Sequence, residues 1–100
     1  MLYAIDISDL THPRLIDKMK VGLHPLSVDV HPKTGDILVI NRDKGHEVYI
    51  IEWKNNQFGK FISIDLEIGA DAATHASWHP SEQYFGLTLE PSAQIAFFRY

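Results

Sequence analysis

A small set of side chains in this sequence has the types and positions from which a reaction or binding site can be built. The candidates for catalysis are His24, Arg42, His75 and Glu90, and the candidates for ligand binding are Asn41, Asp43 and Asp71. Histidine transfers protons near neutral pH, and arginine binds a carboxylate or a phosphate through two hydrogen bonds. An acid, a base and a cation around one channel can support ester or lactone hydrolysis through a polarised water molecule.

The same side chains also have a plain structural interpretation, which is favoured for the histidines. His24 and His75 are expected near the start of inner strands, where an exposed imidazole without a ligand is the commoner outcome. Arg42 lies in an Asn-Arg-Asp run that is typical of a solvated turn. His31 and His79 both precede proline in related segments, so we expect these two histidines to shape turns.

The sequence predicts neither a metal site nor a cofactor. His75 and His79 are four residues apart, which on a strand separates them by about 13 Å, too far to share one zinc ion. The chain has no cysteine, so thiolate ligands, thiol catalysis and disulfides are excluded. It also has no GxSxG nucleophile motif and no Walker-type phosphate loop.

Composition excludes further classes of protein. Of the 100 residues, 45% are hydrophobic and 22% are charged, which is typical of a folded domain. A net charge of −4 and the absence of a basic run argue against a nucleic-acid partner. No apolar run approaches the ~20 residues of a membrane span, and no signal peptide is visible. We therefore expect neither nucleic acid nor a membrane as partner, and the location stays unknown, with the cytoplasm as default.

The sequence repeats itself with a period that is typical of β-propeller blades. The segment VYIIEW at 48–53 has near copies in LYAIDI at 2–7 and IAFFRY at 95–100. His31-Pro32 recurs as His79-Pro80, and the surrounding segment 28–41 resembles 76–89. Short β-type segments with a period of roughly 40–50 residues favour propeller blades.

The pattern predicts an all-β chain of about two four-stranded antiparallel blades. We predict one β-propeller segment over 1–100, with a partial blade at 1–22, a complete blade at 23–67 and a partial blade at 68–100. The predicted strands are 2–7, 14–21, 26–30, 37–41, 48–53, 60–66, 73–78, 84–89 and 95–100.

A propeller closes with roughly four to eight blades, so about two blades need partners. Either the missing blades belong to a longer chain, or copies of this chain form a homo-oligomer, such as a six-bladed ring of three copies. In that ring the segment 14–21 would supply an outer strand to a neighbour. One strand would then be surplus where two copies meet, and this favours the partial propeller.

Several segments resemble known propeller families. The stretch SWHPSEQYFGLTLEPSAQIAFFRY is similar to the repeats of seven-bladed lactonases of the 6-phosphogluconolactonase-like, YVTN-type group. LYAIDISDLTHPRLIDKMKVG resembles repeats of surface and secreted propellers, and LSVDVHPKTGDILVINR resembles paraoxonase and arylesterase blades. The paraoxonase likeness is weaker, because Leu26 stands where that family has a histidine and no matching asparagine lies near Ala73.

The resemblance implies a lactonase-like fragment that hydrolyses a lactone or an ester at a site shared between blades. The alternative is a non-catalytic propeller module that binds a protein or a small molecule. A lectin-like trimer is a weaker third interpretation, because Trp53 and Trp78 do not occupy equivalent positions in the repeat.

Overall fold

A computed structural model describes residues 1–69 and 71–100. The described chain consists of β-strands, turns and loops, which confirms the all-β prediction. The strands are β1 Leu2–Asp6, β2 Arg14–Met19, β3 Pro25–Val30, β4 Ile37–Asn41, β5 Val48–Lys54, β6 Gln57–Ile64, β7 Ala72–Trp78, β8 Tyr84–Glu90 and β9 Gln94–Arg99. None of the described residues forms a helix with the length and apolar character needed to cross a membrane.

The strands form three sheets in which every neighbouring pair is antiparallel and follows chain order. The N-terminal sheet is β1-β2, the central sheet is β3-β4-β5-β6, and the C-terminal sheet is β7-β8-β9. This meander uses only local connections, so each sheet can form from one continuous stretch of chain.

Strand β6 is the element whose predicted bounds were wrong. The sequence predicted a turn over 55–59 and a strand over 60–66, whereas the strand begins at Gln57, opposite Lys54. Asn55 and Asn56 both have positive φ values, 53° and 58°, as a two-residue type I′ hairpin turn requires, and asparagine tolerates that conformation. The early start places Phe58 against Trp53, with ring centroids 5.1 Å apart.

The central sheet has a sheet packed on each face, and its alternating side chains form two cores. Leu38 and Ile40 of β4 point toward the C-terminal sheet, where they meet Trp78 and Leu87. The other face of β4 belongs to a second core, which contains Ile37, Val39, Ile51 and Val21. Because both faces of β4 are covered, its sequence is a continuous apolar run rather than an alternating one.

Side chains of one sheet also accept hydrogen bonds from the backbone of the next. Trp78 N–H donates to Asp29 Oδ2 at 2.7 Å, and Ala76 N–H donates to Ser27 Oγ at 3.4 Å. Between the N-terminal and central sheets, Phe58 N–H donates to Asp17 Oδ2 at 2.9 Å. These bonds supply partners for backbone groups that face a neighbouring sheet, and they fix the offset between the sheets.

His31 and His79 shape equivalent turns, which confirms the prediction made for them. His31 Nδ1 accepts from Lys33 N–H and Thr34 N–H, and His79 Nδ1 accepts from the equivalent amides. Because Nδ1 is an acceptor, the proton of His31 lies on Nε2, which donates to the carbonyl of Glu82 at 3.0 Å in the next sheet. The His31 ring also lies edge-on to Trp78, at a centroid distance of 5.2 Å.

Replacing His31 by alanine tests whether this side chain joins the two sheets. We expect His31→Ala to lower the free energy of unfolding by about 2–4 kcal/mol, because it leaves a cavity beside Trp78 and a carbonyl without its donor. The matched variant His79→Ala removes the same turn contacts from a ring that is exposed in the single chain, and at a protein concentration where the chain is monomeric it should cost less than half as much. Urea unfolding followed by tryptophan fluorescence measures both, and equal losses would contradict the assignment.

Candidate functional site

His24 and Asp43 form a close pair at the end of the central sheet. His24 lies in the loop between β2 and β3, and Asp43 lies in the loop between β4 and β5. His24 Nδ1 is 2.9 Å from Asp43 Oδ1, while Asp43 Oδ2 accepts from Leu23 N–H at 2.5 Å and from His24 N–H at 3.2 Å. Arg42 N–H donates to the His24 carbonyl at 3.1 Å. The two loops are therefore joined by hydrogen bonds to both side chain and backbone.

Gly22 allows the two loops to come this close. Its φ is +90°, and a Cβ at this position would lie 2.8 Å from Asp43 Oδ2 and 3.0 Å from Asn41 Oδ1. Any other residue would therefore meet both a strained backbone conformation and two crowding side-chain oxygen atoms.

The hydrogen bonds fix the charge of Asp43 and the tautomer of His24. The His24 ring and the backbone amides of Leu23 and His24 hold the pKa of Asp43 below its ordinary value. An ionised carboxylate is only an acceptor, so His24 Nδ1 carries the proton and Nε2 carries the lone pair when the ring is neutral. The His24 side chain is 68% exposed, so this basic nitrogen is accessible to solvent.

A corresponding contact joins the loops of the C-terminal sheet, but with different side chains. Asp71, in the loop before β7, accepts from Ser92 N–H at 3.1 Å and from Ser92 Oγ–H at 2.5 Å. Lys44 reaches across from the central sheet, and its ammonium donates to the carbonyls of Asp71, at 2.7 Å, and Gly69. The carboxylates of Asp43 and Asp71, predicted as ligand-binding groups, are thus both engaged in joining loops.

Two buried side chains form hydrogen bonds with the backbone of the β4–β5 loop. Glu47 is almost fully buried, and its carboxylate accepts from Leu66 N–H at 2.7 Å and from Gly45 N–H. Asn41 is fully buried, with Nδ2 donating to the His46 carbonyl at 3.4 Å. Asn41 was predicted to bind a ligand. In the structure its side chain is buried, and its amide bonds to the backbone of the β4–β5 loop.

Among the described residues, the side chains of the other predicted catalytic residues make no hydrogen bond to the His24–Asp43 pair. His75 is in the middle of β7, and its Nδ1 lies 3.4 Å from Ser27 Oγ. Glu90 ends β8 opposite Ala72, and Arg42 follows β4 with an exposed side chain. Within residues 1–69 and 71–100, no hydrogen bond or ion pair links the side chains of Arg42, His75 or Glu90 to His24.

Sequence reasoning missed the contributions of Lys44, Glu47 and Ser92. Ser92 lies in the β8–β9 loop, which corresponds by the repeat to the β4–β5 loop of Asp43. This equivalence could have identified Ser92 from the sequence. Nothing in the sequence distinguished Glu47 from an exposed loop carboxylate. As for metals, the described part of the chain contains no group of three or more His, Cys, Asp or Glu side chains placed to hold an ion.

The depressed pKa of Asp43 predicts how stability depends on pH. The carboxyl titrates below its ordinary value of 3.8 when folded, so its ionised form stabilises the protein above that pH. This contribution is lost as the pH falls through the lower, folded-state pKa. In Asp43→Asn, the urea midpoint should therefore fall less steeply with acid than in the wild type.

The control for this measurement is Glu67→Gln, which neutralises an exposed loop carboxylate. Its urea midpoint should follow the wild-type pH profile. Identical acid profiles for the wild type and Asp43→Asn would show that the pair with His24 does not favour the ionised carboxylate.

Comparison with known proteins leaves the chain without an assigned family. No protein-family model matches the sequence, and no curated protein or solved structure matches it either. The lactonase resemblance therefore stays a prediction from the sequence.

Proposed function

We propose that the three sheets are successive repeats of a β-propeller, with one complete blade between two partial ones. The repeat of sequence segments and the equivalent histidine turns support this assignment. The sheet-to-sheet hydrogen bonds and the joined loops at the inner strands support it as well. On this proposal the complete molecule needs further blades, supplied either by a longer chain or by other copies of this one.

The function that the geometry supports best is hydrolysis of a lactone or an ester, with His24 as general base. One observation carries this proposal: the 2.9 Å contact between His24 Nδ1 and Asp43 Oδ1. A carboxylate in that position orients the imidazole, keeps the proton on Nδ1 and stabilises the imidazolium that forms when Nε2 accepts a proton. The exposed Nε2 is then able to activate water beside a bound substrate.

The proposed reaction proceeds in two steps. Water gives a proton to His24 Nε2 while its oxygen bonds to the carbonyl carbon, forming a tetrahedral oxyanion. The bond to the alkoxide oxygen then breaks, and the imidazolium returns the proton to that leaving group. Arg42 follows the strand next to His24, and its guanidinium is the proposed donor to the oxyanion. His75 and Glu90 remain candidates for substrate contacts from the neighbouring repeat.

A non-catalytic module that binds a protein or a small molecule is the second proposal. The observation that favours it is the engagement of Asp43, Asp71 and Lys44 in contacts between loops. Polar groups used in this way hold the loops in a fixed shape, and a fixed loop surface is suited to recognition without turnover.

Turnover of a p-nitrophenyl ester and of a six-membered lactone tests the hydrolytic proposal. We expect His24→Gln to lower kcat/KM by at least about 100-fold, which is the usual contribution of a general base. Asp43→Asn should lower it as well, because the imidazole then loses its orientation and its preferred tautomer. The control is His12→Gln, which changes another exposed loop histidine.

The two proposals give different outcomes in this experiment. Turnover that depends on His24 and not on His12 supports the hydrolase. Turnover that is absent from the wild type, or that His24→Gln leaves unchanged, overturns the hydrolase and leaves the binding module.

A further inference from the structure

Equivalent strands at the two ends of the chain expose opposite faces. By the repeat, Leu2–Asp6 of β1 corresponds to Ile95–Arg99 of β9. In β1, Leu2 and Ala4 are partly buried whereas Tyr3 and Ile5 are exposed; in β9, Ile95 and Phe97 are exposed whereas Ala96 and Phe98 are partly buried. The face of β1 that is exposed therefore corresponds to the face of β9 that is covered, and the reverse is also true.

The inner strands show the same relation. Val28 and Val30 of β3 are 55% and 54% exposed, whereas the equivalent Ala76 and Trp78 of β7 are only 4% and 6% exposed. The difference arises because the central sheet covers β7, while the N-terminal sheet leaves a groove of about 370 Å³ beside β3, lined by Val28, Val30 and Ile5. Among the described residues, the N-terminal sheet holds the counterparts of β5 and β6 but no counterparts of β3 and β4.

We propose that a second copy of this chain fills the groove with its β7–β8 hairpin, and that β1 replaces β9 as the partner of β8. The hybrid sheet then contains β7 and β8 from one copy and β1 and β2 from the other, which is the four-strand arrangement of the central sheet. The inference rests on the repeat equivalence proposed above and not on the hydrolytic role of His24.

The exchange gives the exposed apolar side chains of β1 and β3 a partner, while β9 is released. Tyr3 and Ile5 take the places of Ala96 and Phe98 against the core of the other copy. Val28 and Val30 pack against the open face of β7, which presents His75 and Ser77. Burial of this apolar surface at roughly 25 cal/mol per Å² favours association, and the ladder lost with β9 is recovered in the ladder with β1.

His79 supplies a specific polar contact for the same interface. Its Nδ1 accepts two turn amides in the same way as His31, so its Nε2 carries a proton. His31 Nε2 donates to the Glu82 carbonyl of the next sheet. The repeat places Thr34 at the position equivalent to Glu82, so His79 Nε2 donates to the Thr34 carbonyl of the second copy.

A ring without the exchange has one strand too many where two copies meet. In the exchange this strand is β9, which is displaced by β1 of the other copy. Each copy contributes one complete central sheet and half of two hybrid sheets, hence two blades in total, with β9 released. A propeller of roughly four to eight blades then requires about two to four copies. Because the two contacting surfaces of each copy differ, the contact is head-to-tail and ends only when the ring closes.

The mass in solution tests the assembly. We expect sedimentation velocity to give a closed species of two to four chains whose share increases with protein concentration. Val30→Asp should shift the protein to the monomer, because it places a charge in the hybrid interface but on a surface that is exposed in the single chain. Leu10→Asp changes an equally apolar side chain on an exposed loop and should keep the wild-type mass. A wild type that is monomeric throughout, or an oligomer that Val30→Asp leaves intact, overturns the proposal.

A disulfide between copies tests the strand pairing. The chain has no cysteine, and Thr88 pairs with Ile95 in the present sheet, so the exchange places Thr88 opposite Leu2 of the second copy. Mixing Thr88→Cys with Leu2→Cys under mild oxidation should give a linked heterodimer in high yield. Thr88→Cys mixed with Ser8→Cys, on an exposed loop, is the control. Equal yields in the two mixtures overturn the exchange. Ester turnover is measured on the same samples, so the failure of the assembly is distinguished from the failure of the hydrolase.

Discussion

Strand β4 is buried at every position, and the packing of a sheet on each of its faces organises the rest of the molecule. Leu38 and Ile40 serve one core, and Ile37 and Val39 serve the other. Each fully buried side chain of this kind contributes roughly 1.5–3 kcal/mol. Among the described residues, these two cores and several side-chain hydrogen bonds hold the flanking sheets in position. The loops that carry His24 and Asp43 are in turn fixed by the strands on either side of them.

The histidines divide into two kinds according to what Nδ1 does. In His31 and His79, Nδ1 accepts turn amides, so the proton is on Nε2. In His31 this Nε2 donates to the Glu82 carbonyl of the neighbouring sheet. In His24, Nδ1 faces the Asp43 carboxylate, so Nε2 keeps its lone pair on a side chain that is 68% exposed. The same side chain therefore shapes a turn at two positions and is a candidate base at a third, and the group beside Nδ1 decides which.

Local patterns made most of the fold predictable. Predicted and observed strand bounds agree within two residues except at β6, because alternation of apolar residues and turn residues such as Pro32 and Gly35 act over short distances. β6 differed because the left-handed conformation of Asn55 and Asn56 makes a tighter turn than the five-residue segment suggested.

The site was less predictable, because its contacts join residues far apart in the chain. Asp43 was identified by its loop, but its partner His24 lies 19 residues away, and the pairing depends on the conformation at Gly22. Glu47 was not singled out from the sequence, and it is buried and accepts a hydrogen bond from Leu66 N–H. The sequence placed Asp43 in a turn and His24 near the start of a strand, and the backbone path within each loop decided which side chains touch.

The crowding around Gly22 restricts how the sequence can evolve. Exposed neighbours such as Leu23 can be exchanged for other side chains with little effect on the fold. At position 22, every codon change that adds a Cβ would press against the side chains of Asp43 and Asn41, which belong to the opposite loop and the strand end before it. We expect related sequences to vary freely around this position while keeping glycine at it, whatever residue stands in place of His24.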